Sequence, residues 1–140
     1  MNPLLRGVTI EEAMTRKVVS VGMKAPVTAV LEAITSNNVT GIVVVDEKGD
    51  CRGIISTFDI LGAFGGMTRA EMKRLKAEDI MTKYAIDMDK RESLDEAARV
   101  MREFNVHRLV VISGEHRRWK PIGIISSTDI TRFIQRELGR

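Results

Sequence analysis

"GIISTFDI" occupies Gly53 to Ile60, and "GIISSTDI" occupies Gly123 to Ile130. Each octapeptide is a β-branched run closed by Ser-x-x-Asp, so each specifies a strand that ends at the serine and a helix that begins there. Outward from this pair, the flanks repeat as well. At a shift of 67 positions "EEAMTRKVVSV" (Glu11 to Val21) falls on "EDIMTKYAIDM" (Glu78 to Met88), which aligns Met14-Thr15 with Met81-Thr82. At the same shift "NVTGIVVVD" falls on "NVHRLVVIS". The shift grows to 70 at the octapeptide because "EKGDCR" is replaced by the longer "GEHRRWKPI". Extra residues of that kind belong in a hairpin loop, where added length costs little. The chain reads as two copies of one unit of about 60 residues.

Both copies carry the same order of elements. A short strand ("VVSV"; "YAIDM") leads to an amphipathic helix with Val27, Val30, Leu31 and Ile34 on its apolar face in the first copy, and Leu94, Ala97, Ala98 and Met101 in the second. That is the i, i+3, i+4, i+7 spacing of a helix with one buried side. Pro26 marks the start of the first helix, and Ser93 with Glu96 forms a capping-box pattern at the second. Two β-rich runs joined by a polar loop then read as a hairpin, and a second helix follows each "GIIS". The fold class is α+β, built from two pseudo-symmetric β-α-β-β-α repeats over residues 1–66 and 78–140. Residues 67–77 read as a helical linker with Met72 and Leu75 as its apolar stripe.

Composition narrows the function. With 140 residues, 44% of them hydrophobic, the chain can bury one core or two small linked ones. Its apolar runs fall far short of the roughly 20 residues that a membrane span requires. "MNPLLRGVTIEEAM" lacks a signal-peptide apolar region, and Cys51 is the one cysteine, so the reading is a soluble, unprocessed, cytoplasmic chain with no membrane partner. Two histidines and one cysteine give no zinc spacing. Net charge is +3, unevenly spread: residues 1–66 carry 6 Lys and Arg against 7 Asp and Glu, whereas 67–140 carry 16 against 12. The basic second half suits a phosphate-bearing partner. In the linker, Lys73, Arg74 and Lys76 alternate with acids and have no aromatic partners, which argues against nucleic acid. No Ser, Cys or Thr has an identifiable base and orienting group, so the reading is not an enzyme.

Ser-x-x-Asp after a strand admits two readings. Ser56 or Ser126 at a helix N-cap, with Asp59 or Asp129 at the third position, is a capping box in all but the usual Glu. The same carboxylate can accept hydrogen bonds from both hydroxyls of a ribose, with the serine hydroxyl available to a phosphate oxygen.

"EDIMT", the amphipathic helix, "HRLVVIS" and "GIISSTDI", repeated in tandem over nearly the whole chain, resemble the cystathionine-β-synthase (CBS) domain pair, or Bateman module. The resemblance implies a pair of repeats around a cleft that holds AMP, ADP, ATP or S-adenosylmethionine, with no cofactor required. It implies ribose binding by Asp129 and Asp59, and phosphate or ribose contacts from Ser126, Thr128 and Ser56. The basic residues ahead of the second strand fall on His107 and Arg108; the first copy has Thr40 and Gly41 there. Because pockets in the family mix repeats, the adenine of a ligand at Asp129 is expected against Met14, Val19, Val39, Thr40 and Gly41. A ligand at Asp59 is expected against Met81, Ile86 and Val106. Met14 and Met81 also read as core filler, and the "HRRWKP" loop with Trp119 as an exposed hairpin tip. The implied function is a stand-alone regulatory module that prefers AMP or ADP, forms a homodimer and signals to an effector protein. The alternatives are an interaction scaffold with an empty cleft, an S-adenosylmethionine binder or a nucleic-acid binder.

Overall fold

A computed structural model describes residues 2–83, 87–113 and 120–140. Ile86 and the loop stretch His116 to Trp119 lie outside the described residues. In chain order the elements are α1 (Ile10–Ala13), β1 (Ser20–Gly22), α2 (Val27–Ser36), β2 (Gly41–Val45), β3 (Cys51–Ser56), α3 (Thr57–Ala63), α4 (Arg69–Arg74), α5 (Ala77–Ile80), β4 (Thr82–Lys83), β5 (Asp87–Asp89), α6 (Leu94–Glu103), β6 (Arg108–Ile112), β7 (Pro121–Ser126) and α7 (Ser127–Leu138). The repeated β-α-β-β-α order is present, and a short helix (α1, α5) precedes each copy. The chain forms two compact units that cut across its sequence repeats. One is contiguous, Val19–Ala85; the other is discontinuous and joins Met1–Val18 to Ile86–Arg140.

In the contiguous unit the sheet order is β1-β2-β3-β4. Strand β1 runs parallel to β2, with Ser20 opposite Val43, and β2 and β3 form the antiparallel hairpin. α2 lays Val30 and Ile34 on one face of this sheet, where they meet Ile42, Val44, Ile55 and Ala77 in one core cluster. Burying each such aliphatic side chain stabilises the fold by about 1.5–3 kcal/mol relative to leaving it in water. Pro26 stands at the N-cap of α2, one position earlier than the first helical turn it otherwise suits, with extended backbone at ψ 151.

The discontinuous unit repeats the plan, with sheet order β5-β6-β7 and β5 parallel to β6. Its core draws on both parts of the chain: Leu5, Ile10 and Met14 pack with Met88, Leu94, Leu109 and Ile125. The leading segment is tied down by backbone bonds, Leu94 N–H to Val8 O at 2.7 Å and Ile10 N–H to Glu92 O at 2.9 Å. Both hairpins break register at the same place, between Val44 and Val45 and between Val111 and Ile112.

Two local expectations are corrected. Ser93 caps α6, its Oγ accepting from Glu96 N–H at 3.0 Å, but the reciprocal half of the box does not form because Arg99 takes the Glu96 carboxylate. Segment 67–77 is not one helix. α4 ends at Arg74, and Leu75 turns extended because Val27 N–H bonds to its carbonyl at 2.9 Å and Pro26 bridges Lys76.

Candidate functional site

The two Ser-x-x-Asp segments sit where β3 and β7 hand over to α3 and α7. In the discontinuous unit, Ser126 Oγ accepts from Asp129 N–H at 3.2 Å, while Asp129 Oδ2 accepts from Ser126 N–H at 2.9 Å and from Ser126 Oγ at 3.0 Å. In the contiguous unit the corresponding distances for Ser56 and Asp59 are 3.1, 2.8 and 2.9 Å. Both carboxylates therefore cap their helices, and each does so with a single oxygen.

The second oxygen faces elsewhere. Thr15 Oγ1 donates to Asp129 Oδ1 at 3.2 Å, and Thr82 Oγ1 donates to Asp59 Oδ1 at 3.4 Å. The repeated Met-Thr dipeptide thus supplies a hydroxyl to the carboxylate of the other sequence copy, inside one compact unit. The close approach depends on the glycine that opens each octapeptide. A Cβ added at Gly123 would lie 2.6 Å from Met14 Sδ and 2.9 Å from Thr15 O; at Gly53 it would lie 2.7 Å from Thr82 O and 2.8 Å from Met81 Sδ. Glycine is required there for lack of room rather than for backbone freedom.

Helix ends deliver the neighbouring residues. Asn38 and Asn105 adopt left-handed φ of 51° and 52°, and Val39 and Val106 N–H bond back to Ile34 O and Met101 O at 3.2 and 2.9 Å. These are Schellman turns at matching places. They set Thr40 and His107 so that their carbonyls accept from Thr57 N–H and Ser127 N–H, each at 2.9 Å. Arg108 then pairs across the hairpin with Ser126, and Gly41 with Ser56.

The discontinuous unit therefore holds Ser126, Thr128, Asp129, Val106, His107, Arg108 and Met14; the contiguous unit holds Ser56, Asp59, Val19, Val39, Thr40, Gly41 and Met81. Each of the two expected pocket groupings draws residues from both units. Met14 is a core residue, whereas His107 and Thr128 are exposed. The units differ in electrostatics. Asp129 is 8% exposed and has Arg132 Nη1 3.6 Å from Oδ1; Asp59 is less buried, and Gly62 stands where Arg132 would be. On β5, burial pushes the Asp87 carboxyl above its ordinary range.

Thr15, Thr82 and Arg132 were missed by sequence reasoning. The recurrence of Met-Thr was visible but carried no role, and Arg132 had no signal beyond its i+3 spacing from Asp129. Two concavities lie elsewhere: about 560 Å³ beside Met23, Val45 and Asp46, and about 860 Å³ between Pro3 and α6. In the first Arg52 pairs with Asp46, in the second Arg99 with Glu96, and neither is lined by a Ser-x-x-Asp segment.

The profile of the CBS domain family matches residues 10–66 and 77–136. Among curated proteins, the chain is similar to the uncharacterized protein MJ1404 of Methanocaldococcus jannaschii, 28% identical over 142 residues that cover 94% of this chain and 33% of that protein. It is 31% identical over 130 residues to homoserine O-acetyltransferase of Methanosalsum zhilinae, covering 93% of this chain and 25% of the enzyme. The chain thus spans a third or less of those relatives. Among solved structures, that of CBSX2 in complex with AMP superposes with a TM-score of 0.79 at 25% identity, covering 96% of this chain and 100% of the other. The CBS domain pair of protein MJ0100, in complex with 5′-methylthioadenosine and S-adenosyl-L-methionine, gives 0.76 at 25% identity, with 91% and 99% covered.

Proposed function

This chain belongs to the CBS domain family, and from that membership we propose that it is a regulatory module whose ligand is an adenosine nucleotide, AMP or ADP in preference, held at Ser126 and Asp129. One observation carries the reading: Asp129 caps α7 with Oδ2 and turns Oδ1 toward a hydroxyl donor, Thr15. A carboxylate so arranged serves the helix and a ribose diol at once. The hydroxyls of Ser126 and Thr128 are suited to phosphate oxygens, Arg108 supplies positive charge opposite Ser126, and His107 precedes it in the chain. Similar solved CBS proteins hold AMP in one case and 5′-methylthioadenosine with S-adenosyl-L-methionine in the other, which supports an adenosine ligand. Ser56 and Asp59 form the second candidate, weaker toward phosphate because Thr40 and Gly41 replace His107 and Arg108. The ligand is bound and not turned over. It signals by binding two arrangements of the protein with different affinity, and an effector reads the difference.

A second reading, a scaffold in which Ser-x-x-Asp only caps helices, draws on the complete boxes in both copies. Asp129→Asn separates the two. Asn keeps an acceptor for Ser126 N–H, so capping alone predicts a stability loss below about 1 kcal/mol and unchanged calorimetric titrations. Ribose binding predicts an AMP affinity lower by about tenfold to a hundredfold, because charge-assisted bonds to the diol are lost. Titrations of the unaltered protein with AMP, ADP, ATP and S-adenosylmethionine that show no heat would establish the scaffold.

A further inference from the structure

The Asp129 carboxylate already accepts three hydrogen bonds and faces one ion-pair partner. Oδ2 holds the Ser126 backbone and hydroxyl; Oδ1 has the Thr15 hydroxyl at 3.2 Å and the Arg132 guanidinium at 3.6 Å. A ribose diol that approaches Oδ1 meets both Thr15 and Arg132. Thr15 is fixed by a two-way backbone bridge, Thr15 N–H to Ile124 O at 2.9 Å and Ile124 N–H to Thr15 O at 3.0 Å. Arg132 stands on the surface of α7 with its side chain 60% exposed, tethered at the far end of a flexible stem. Of the two, it is the one able to move aside.

We propose that Arg132 is a specificity-determining residue, which occupies the ribose position on Asp129 and yields it readily only to ligands that carry phosphate. The proposal rests on the reading of Asp129 as a ribose acceptor. An uncharged nucleoside must separate the guanidinium from the carboxylate and offers nothing in return. A nucleotide displaces it too, but its phosphate then receives the freed guanidinium. Side chains on a helix lean toward its N-terminus, so Arg132, one turn beyond Asp129, leans toward the turn that carries Ser126 and Thr128. Arginine matches phosphate with paired N–H groups, which a lysine cannot reproduce. The first copy has Gly62 at the matching position, and among the described residues no ion pair to Asp59 is formed.

The test is calorimetry on the full chain and on Arg132→Gln and Arg132→Lys, with AMP and with 5′-methylthioadenosine. Glutamine is expected to weaken AMP by about fivefold to tenfold and to strengthen 5′-methylthioadenosine by about twofold to fivefold, the modest size reflecting an exposed ion pair. Lysine should fall between. The opposed signs are the decisive readout, since a purely structural role moves both ligands together, and the melting temperature of the ligand-free protein should not change. Equal factors for the two ligands, or no change in either, would overturn the role of Arg132. If Asp129→Asn abolishes binding while Arg132→Gln leaves the ratio intact, the ribose reading stands and this proposal falls. If the unaltered protein binds neither ligand, both fall.

Discussion

Gly123→Ala probes the close contact on which the site geometry depends. The added methyl carbon would sit 2.6 Å from Met14 Sδ and 2.9 Å from Thr15 O, both inside the distance at which real Cβ atoms are found. The methionine can turn aside, since a thioether has several low-energy rotamers. The carbonyl cannot, because Ile124 N–H, on the residue next to the substitution, holds it at 3.0 Å. Relief therefore requires the Met14-Thr15 backbone to lift from β7. Overpacking of this kind costs about 1–3 kcal/mol, and weakening the two bridge bonds adds up to about 1 kcal/mol each. We expect a loss of about 2–3 kcal/mol, read as a lower urea midpoint with unchanged slope. Gly62→Ala is the control: Gly62 lies within α3 with nothing within 4 Å of a new Cβ, so alanine should stabilise by about 0.5–1 kcal/mol. AMP affinity should fall in Gly123→Ala as well, since lifting Thr15 removes the hydroxyl that orients Asp129 Oδ1. A Gly123→Ala protein within about 0.5 kcal/mol of the parent would refute the claim that glycine is there to admit the segment.

Burial raises the Asp87 carboxyl, so the folded chain holds that proton more tightly than the unfolded chain does. Stability from this group is therefore present below the ordinary aspartate range and lost as pH rises through the raised value. Asp87→Asn should melt higher than the parent at neutral pH, with the advantage shrinking in acid; an advantage independent of pH would contradict the assignment. Self-association is expected as a homodimer, given Phe58 and Leu61 at 81% and 82% exposure on α3 and the prevalence of two-fold pairing. Light scattering should report near twice 15.6 kDa, and a value of 15.6 kDa across the micromolar range would count against it.

Local structure was legible because its causes are local. The spacing of Val27, Val30 and Ile34 places one face of α2 on the sheet, and Ser56 to Asp59 and Ser126 to Asp129 cap helices through bonds between residues three apart. What the sequence could not display is which copy each strand edge joins. Alignment groups residues by resemblance, and "EEAMTRKVVSV" resembles "EDIMTKYAIDM"; contact follows another rule. Thr15 reaches Asp129 across 114 positions and Thr82 reaches Asp59 across 23, with no periodicity linking either pair. The break of the linker at Leu75 was hidden for the same reason, since its cause is a bond from Val27. Met72 and Leu75 look like consecutive turns of one stripe until the backbone between α4 and α5 is required elsewhere.

The discontinuous unit bears on how the chain is made. Residues 2–18 leave the ribosome before any of their partners in β6, β7, α6 and α7 exist, whereas everything needed for Val19–Ala85 has emerged once residue 85 is out. During synthesis, then, Leu5, Ile10 and Met14 precede the core partners Met88, Leu94, Leu109 and Ile125 by 74 positions or more, since Met14 stands 74 positions before Met88 and Leu5 stands 120 before Ile125. An identical stretch from an adjacent nascent chain offers the late-arriving strands the same contacts, with Thr15 again on Ile124 and Asp129. Exchange of this segment between chains would keep these native contacts, which makes order of synthesis, and not only final stability, a factor in how the fold closes on itself.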